Sequence, residues 1–154
     1  MVDIDGVLSL FGFPAHERPE GAFHSIDGIP HFLSARAGAH LLALWDAFEL
    51  VWASGWEERA NDYLPHLLGL PGELPFVSFE RPVGIRTANA HWKLDAIADY
   101  AGPRALAWID DSFNEACHEW AARREAPTLL LQTAPATGLT EQDVEILRRW
   151  ARFR

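Results

Sequence analysis

The chain has 154 residues, 49% of them hydrophobic and 23% charged, which suits one folded domain with a sizeable core. A formal net charge of −9 argues against a broad non-specific grip on nucleic acid or an anionic membrane. No run is apolar enough to span a bilayer, no basic-then-apolar leader opens the chain, and the single cysteine, Cys117, permits no intrachain disulfide, which fits a cytoplasmic location.

Short apolar runs alternate with segments of helical period. The first run, Val2–Ile4, carries Asp3 and ends in Asp5-Gly6. Residues 6–35 interrupt the alternation: Pro14, Pro19 and Gly21 mark a loop, and "GAFHSIDGIPHFLS" predicts a β-hairpin turning at Asp27-Gly28. Leu41, Leu44, Trp45 and Phe48 recur at helical spacing, and the run Leu50–Ala53 ends in Ser54-Gly55. A second helix is predicted from Ala60, Tyr63, Leu64, Leu67 and Leu68, then a run at Phe76–Phe79. Leu94, Ile97, Ala98 and Ala101 mark a third helix, followed by the run Leu106–Ile109, which ends in Asp110-Asp111. Phe113, Ala116, Cys117, Trp120 and Ala121 form a fourth apolar stripe, and this places Cys117 in the core. After Thr128–Leu131, Thr140-Glu-Gln-Asp143 reads as a capping box before Val144, Leu147 and Ala151. The pattern implies an α/β, three-layer, doubly wound (Rossmann-like) fold with a five-stranded, mainly parallel sheet, built as a single domain over 1–154.

Ligands of such sheets bind beyond the carboxyl ends of the strands. Asp3, Asp5, Ser54, Gly55, Asp110 and Asp111 all fall at such ends. Lys93, the only lysine among 13 basic residues, lies where a helix leads into the fourth strand. Clustered carboxylates repel one another, so a cation is needed, and all-oxygen ligands suit Mg²⁺ together with a phosphate oxygen. Asp3 is placed to attack phosphorus. Asp5 is placed to protonate the leaving oxygen and then deprotonate a water. Ser54 and Lys93 would hold the phosphoryl oxygens. Ser54 also reads as a helix N-cap, and Asp110-Asp111 as caps, although two consecutive acids exceed what a cap needs. His24, His31, Trp56, Arg81, Arg86, His91 and Trp92 are candidate substrate contacts, whereas Trp45, Trp108 and Trp120 read as core. The seven histidines show no spacing of the zinc-site kind.

"DIDGVL", "WASGW", the lysine of "HWKLD" and "WIDD" stand in the order of the four motifs of the haloacid dehalogenase (HAD) superfamily, which the chain resembles over nearly its whole length. The resemblance implies Asp3 as nucleophile, Asp5 as general acid/base, and Ser54 and Lys93 as phosphate ligands. It also implies Mg²⁺ on Asp3, Asp110 and the backbone carbonyl of Asp5, with Asp111 a further ligand or a partner behind the ligands. "WASGWEERAN", "HWKLDAIADYAG" and "AWIDD" resemble the small HAD domains associated with Swiss Army Knife RNA-repair proteins. Two features depart from the family. Only Met1 and Val2 precede Asp3, which implies a looser hold on the nucleophile or a start further upstream. "ERPVGIRTANA" is too short for a large cap, leaving the hairpin as a small flap over an open site.

The expected activity is that of a Mg²⁺-dependent phosphohydrolase acting through an aspartyl-phosphate on a phosphate monoester, its partner a phosphorylated small molecule or a phosphorylated nucleic-acid end. An alternative is a phosphatase of phosphorylated RNA or DNA ends, and another is a non-catalytic HAD-fold or receiver-like module. Motif order argues against a receiver, because the double acid follows the lysine and "FVSFERP" ends the third strand without an aspartate. An open sheet edge or the hairpin offers a surface for a homodimer.

Overall fold

The strands β4 (Leu106–Asp110) and β5 (Thr128–Gln132) pair in parallel from Leu106↔Thr128 to Asp110↔Gln132. They belong to a computed structural model that describes residues 1–79 and 91–154. Beyond β4 the sheet continues as single parallel bridges: Val2 to Ile109 and to Trp52, then Trp52 to Phe76. The five predicted apolar runs therefore lie side by side, but only two of them pair as continuous strands, and the expectation of a five-stranded sheet is corrected to that extent. The physical reason is visible after Val2. The Ile4 carbonyl accepts the N–H groups of Val7, Leu8 and Ser9, so the chain curls as soon as it leaves the sheet. The brief pairing is nonetheless closed on both sides. Val2 N–H donates to Val51 O and Ala53 N–H to Val2 O, both at 2.8 Å, while Asp3 N–H donates to Ile109 O at 2.9 Å and Ile109 N–H to Met1 O at 3.0 Å.

Alternation along these segments splits the core between two faces. On one face Val2, Trp52, Ala107, Ile109 and Leu131 pack with Leu41 and Leu44 of α1 (Ala37–Leu44), Leu64 of α2 (Ala60–Leu68) and Val144 and Leu147 of α5 (Glu141–Phe153). On the other, Val51, Ala53, Val77, Leu106 and Trp108 pack with Leu94 and Ile97 of α3 (Leu94–Ala101) and Cys117 of α4 (Glu115–Arg123). Each fully buried aliphatic side chain contributes about 1.5–3 kcal/mol. These helices match the predicted stripes with two exceptions: Phe113 packs on the second core from before α4, whose N-cap is Asn114, and α1 stops at Leu44, because the N–H groups of Trp45 and Ala47 bond three residues back and tighten the last turn. Phe48 keeps its place in the apolar spacing because it stacks on Trp150, 6.2 Å away. The capping box at Thr140 and Asp143 is present.

The hairpin forms from β2 (Gly21–Ile26) and β3 (Ile29–Ser34), and a two-residue strand that the sequence did not announce, β1 (Ser9–Leu10), pairs with the outer side of β3. Asp27 and Gly28 both have positive φ (53° and 80°), as a two-residue turn matching the strand twist requires. Leu33 joins the first core, and Ser34 N–H donates to Leu8 O, so the hairpin is fastened beside the end of the first apolar run. Among the described residues, no helix is long and apolar enough to cross a membrane.

Candidate active site

Parallel pairing brings the ends of three apolar runs to one edge, where they open into a cleft of about 680 Å³. Asp3, Asp5, Ser54, Gly55, Lys93, Asp110 and Asp111 all line it. At its floor Lys93, 3% exposed at the start of α3, extends Nζ to Asp3 Oδ2 at 2.8 Å and to Asp110 Oδ2 at 2.7 Å. Asp110 also accepts Trp108 Nε1–H on Oδ2 (3.2 Å) and Ser112 N–H on Oδ1 (3.1 Å). Trp108, expected only as core, is thus core and donor at once.

Burial pushes the Asp3 carboxyl up to about 6; Lys93 opposes the shift and the nearby Asp110 charge reinforces it. Asp111 is also raised, first by burial and then by Asp110. One carboxylate oxygen from each of Asp3, Asp110 and Asp111 lies within 4.8 Å of the others. With all three ionised, the single ammonium of Lys93 leaves a net double negative charge. This all-oxygen donor set and residual charge fit a hard divalent cation. Gly6 makes the approach possible. Its φ is +78°, and a Cβ there would lie 2.5 Å from the Asp111 carboxyl, while its carbonyl accepts the Thr133 hydroxyl at 2.8 Å. Its only sequence signal is its position after the second aspartate.

Asp5 lies apart from the three-carboxylate group. Its Oδ2 accepts Trp56 Nε1–H at 2.9 Å, and its Oδ1 is 3.5 Å from His31 Nδ1, itself 3.2 Å from Ser9 Oγ. The rings of His31 and Trp56 meet edge to face at 4.6 Å. The hairpin and the segment after Ser54 therefore meet on this carboxylate.

Ser54 is buried at the cleft wall. Its side chain caps neither the 3-10 turn Glu57–Arg59 nor α2, whose N-cap positions are Trp56 and Arg59 without side-chain cap bonds. Likewise α4 is capped by Asn114, which accepts Cys117 N–H, so Asp110 and Asp111 are spared that task. His91 accepts Lys93 N–H on Nδ1 at 3.3 Å and bonds the Ser112 backbone; burial lowers its pKa. Trp92 is half-exposed at the mouth of the cleft, against Phe79 at 4.8 Å. His24 stands on β2, paired opposite His31, and lines a different cavity from the acidic cleft. Arg81, Arg86 and the stretch read as too short for a large cap lie outside the described residues.

The family model of the HAD domain in Swiss Army Knife RNA repair proteins matches residues 1–144. No curated protein matches the chain.

Proposed function

The chain belongs to the family of HAD domains found in Swiss Army Knife RNA repair proteins, and from that premise and the geometry of the cleft we propose that it is a Mg²⁺-dependent phosphohydrolase working through an aspartyl-phosphate. The observation that carries the reading is the convergence of the Asp3, Asp110 and Asp111 carboxylates with the buried Lys93 ammonium on the floor of an open cleft. Asp3, Asp110 and Asp111 would hold Mg²⁺, which would supply positive charge to offset both the carboxylates and the incoming phosphoryl oxygens. Ser54 and Lys93 orient those oxygens by hydrogen bonding. An Asp3 oxygen attacks phosphorus, the bond from phosphorus to the ester oxygen breaks, and Asp5 gives that oxygen its proton. Asp5 then takes a proton from water, the water oxygen attacks the aspartyl-phosphate, and inorganic phosphate leaves with Asp3 regenerated.

For the substrate, the family supports a phosphorylated nucleic-acid end, and the open cleft with Trp56 and Trp92 at its walls supports the same choice over a small metabolite. The test compares p-nitrophenyl phosphate, a phosphorylated metabolite set and 5′- and 3′-phosphorylated oligonucleotides, with Mg²⁺ and with EDTA. Metal-dependent release of phosphate, with kcat/KM highest on an oligonucleotide end, is expected. Turnover that persists in EDTA overturns the metal assignment, and higher kcat/KM on metabolites overturns the substrate.

A further inference from the structure

A second cavity, of about 310 Å³, lies between the tip of the β2–β3 hairpin and α2. Asp5, Gly55 and Trp56 line both this cavity and the acidic cleft, so the two spaces adjoin. The proposed nucleophile Asp3, the phosphoryl-orienting Ser54 and Lys93, and the candidate metal ligand Asp110 line the cleft and not this cavity. Asp5 therefore stands where the two spaces meet, with the acidic cleft on one side and the cavity on the other.

The walls of the cavity are aliphatic and aromatic: Ile26 and Ile29 from the hairpin tip, Trp56, and Tyr63 from α2. Ile29 is 58% exposed, so its side chain is open to a group that enters the cavity. Polar groups accompany these walls. Asp27 Oδ1 accepts the Tyr63 hydroxyl at 2.8 Å, and Asp27 pairs with the Arg59 guanidinium.

We propose that this cavity receives the nucleoside that carries the phosphate, and that Ile29, Tyr63 and Arg59 set the preference for it. The proposal rests on the phosphohydrolase reading, because a group attached to the oxygen that Asp5 protonates extends past Asp5 into this space. A nucleobase presents flat apolar faces and an edge of donors and acceptors. Aromatic and aliphatic walls edged by a hydroxyl, a guanidinium and a carboxylate match both. A second anionic group is not matched: Arg59 is already paired with Asp27, and Asp5 adds another carboxylate. The volume lies near the small end of ligand pockets, roughly 300–1,000 Å³, which suits one ring-bearing unit and leaves a short linear alcohol without contacts. The same nucleoside can come from a free mononucleotide or from the end of a nucleic-acid chain.

The test measures kcat/KM for adenosine 5′- and 3′-monophosphate, for oligoadenylates phosphorylated at either end, and for ethyl phosphate. Wild type, Ile29→Ser and the milder Tyr63→Phe are compared, and unphosphorylated adenosine is titrated in parallel with NMR detection at Ile29 and Tyr63. A preference of at least about tenfold for adenosine-bearing esters, or about 1.4 kcal/mol, is expected, falling toward unity in Ile29→Ser. Adenosine is expected to shift both residues. A faster oligoadenylate assigns the nucleoside to a chain end, and a faster mononucleotide assigns it to the free pool. A preference untouched by Ile29→Ser, with no adenosine shift, overturns the proposal. Should wild type hydrolyse none of these esters, the phosphohydrolase reading falls, and the adenosine titration alone decides the cavity.

Discussion

Asp3 and Asp5 are two residues apart, and the fold treats them in opposite ways. The Asp3 side chain is 7% exposed and its partner is an ammonium, whereas the Asp5 side chain is 48% exposed and its partners are an indole N–H and an imidazole. Asp3 is fixed by the sheet itself, since its own N–H donates to Ile109 O while the residue before it, Val2, bonds Val51 and Ala53 on the other side. Asp5 has left the sheet and is fixed by side chains from two other elements. The first arrangement suits a nucleophile that must meet phosphorus in one geometry. The second suits an acid/base that must exchange protons with a leaving group and then with water.

The comparison is broken most decisively at Asp3. Asp3→Asn replaces the carboxylate proposed to attack phosphorus while keeping its shape, and turnover is expected to fall by at least about 10³-fold. Rates of phosphate release within tenfold of wild type would end the nucleophile assignment. Lys93→Met comes next. It leaves Asp3 and Asp110 buried beside each other without their shared cation, and the loss of one partner from a buried pair costs about 3–5 kcal/mol. Urea denaturation without metal is expected to show a loss of this order, and added Mg²⁺ to recover part of it. Asp5→Asn is expected to be folded, and its defect to depend on the leaving group. The loss is about 10²-fold or more on alkyl phosphates and much smaller on p-nitrophenyl phosphate, whose phenolate departs without a proton. Equal losses on both esters would move Asp5 from acid/base to mere support.

Asp3 also links the stability of the fold to pH. Its folded pKa, about 6, lies above the ordinary value of 3.8, so the folded state keeps a proton that the unfolded state has lost. The stability this contributes is complete below about 3.8 and is lost as pH rises through about 6. Metal-free protein is therefore expected to lose Tm from pH 4 to pH 6 more steeply than Asp3→Asn does, and parallel curves would show that Asp3 does not carry the dependence.

The same contrast explains what could be read in the sequence. Asp3, Ser54 and Asp110 each stand at the end of an apolar run, so the rule that parallel strands present their carboxyl ends together is enough to bring them to one cleft from the sequence alone. The Asp27-Gly28 turn was equally legible, because few dipeptides tolerate two positive φ angles in succession. The extent of the sheet was not: three or four apolar residues identify a segment at the core, but pairing length depends on where the chain curls, as at the Ile4 carbonyl. β1 was invisible for a simpler reason, since two residues have no period. The partners of Asp5 lie outside any local pattern. Trp56 is 51 positions away, and His31 reaches Asp5 only because the hairpin folds back. Trp108 hid its second role behind its first, its ring being fully buried while its N–H reaches Asp110.

Trp56→Phe makes the smallest and most specific cut in the comparison. Phenylalanine keeps a ring against His31 and at the wall shared by the two cavities, but it removes the N–H that Asp5 Oδ2 accepts. A hydrogen bond of this kind has a net worth of about 0.5–1.5 kcal/mol, or about two- to tenfold in rate. If Asp5 is held by side chains as Asp3 is held by the sheet, the loss falls on kcat for alkyl phosphates, with KM little changed and p-nitrophenyl phosphate nearly spared, a small copy of the Asp5→Asn pattern. A rise in KM with kcat intact would instead make Trp56 a substrate wall alone. His31 would then remain the side chain beside Asp5 from outside its own turn, and the hairpin would become the element that decides where the acid/base points.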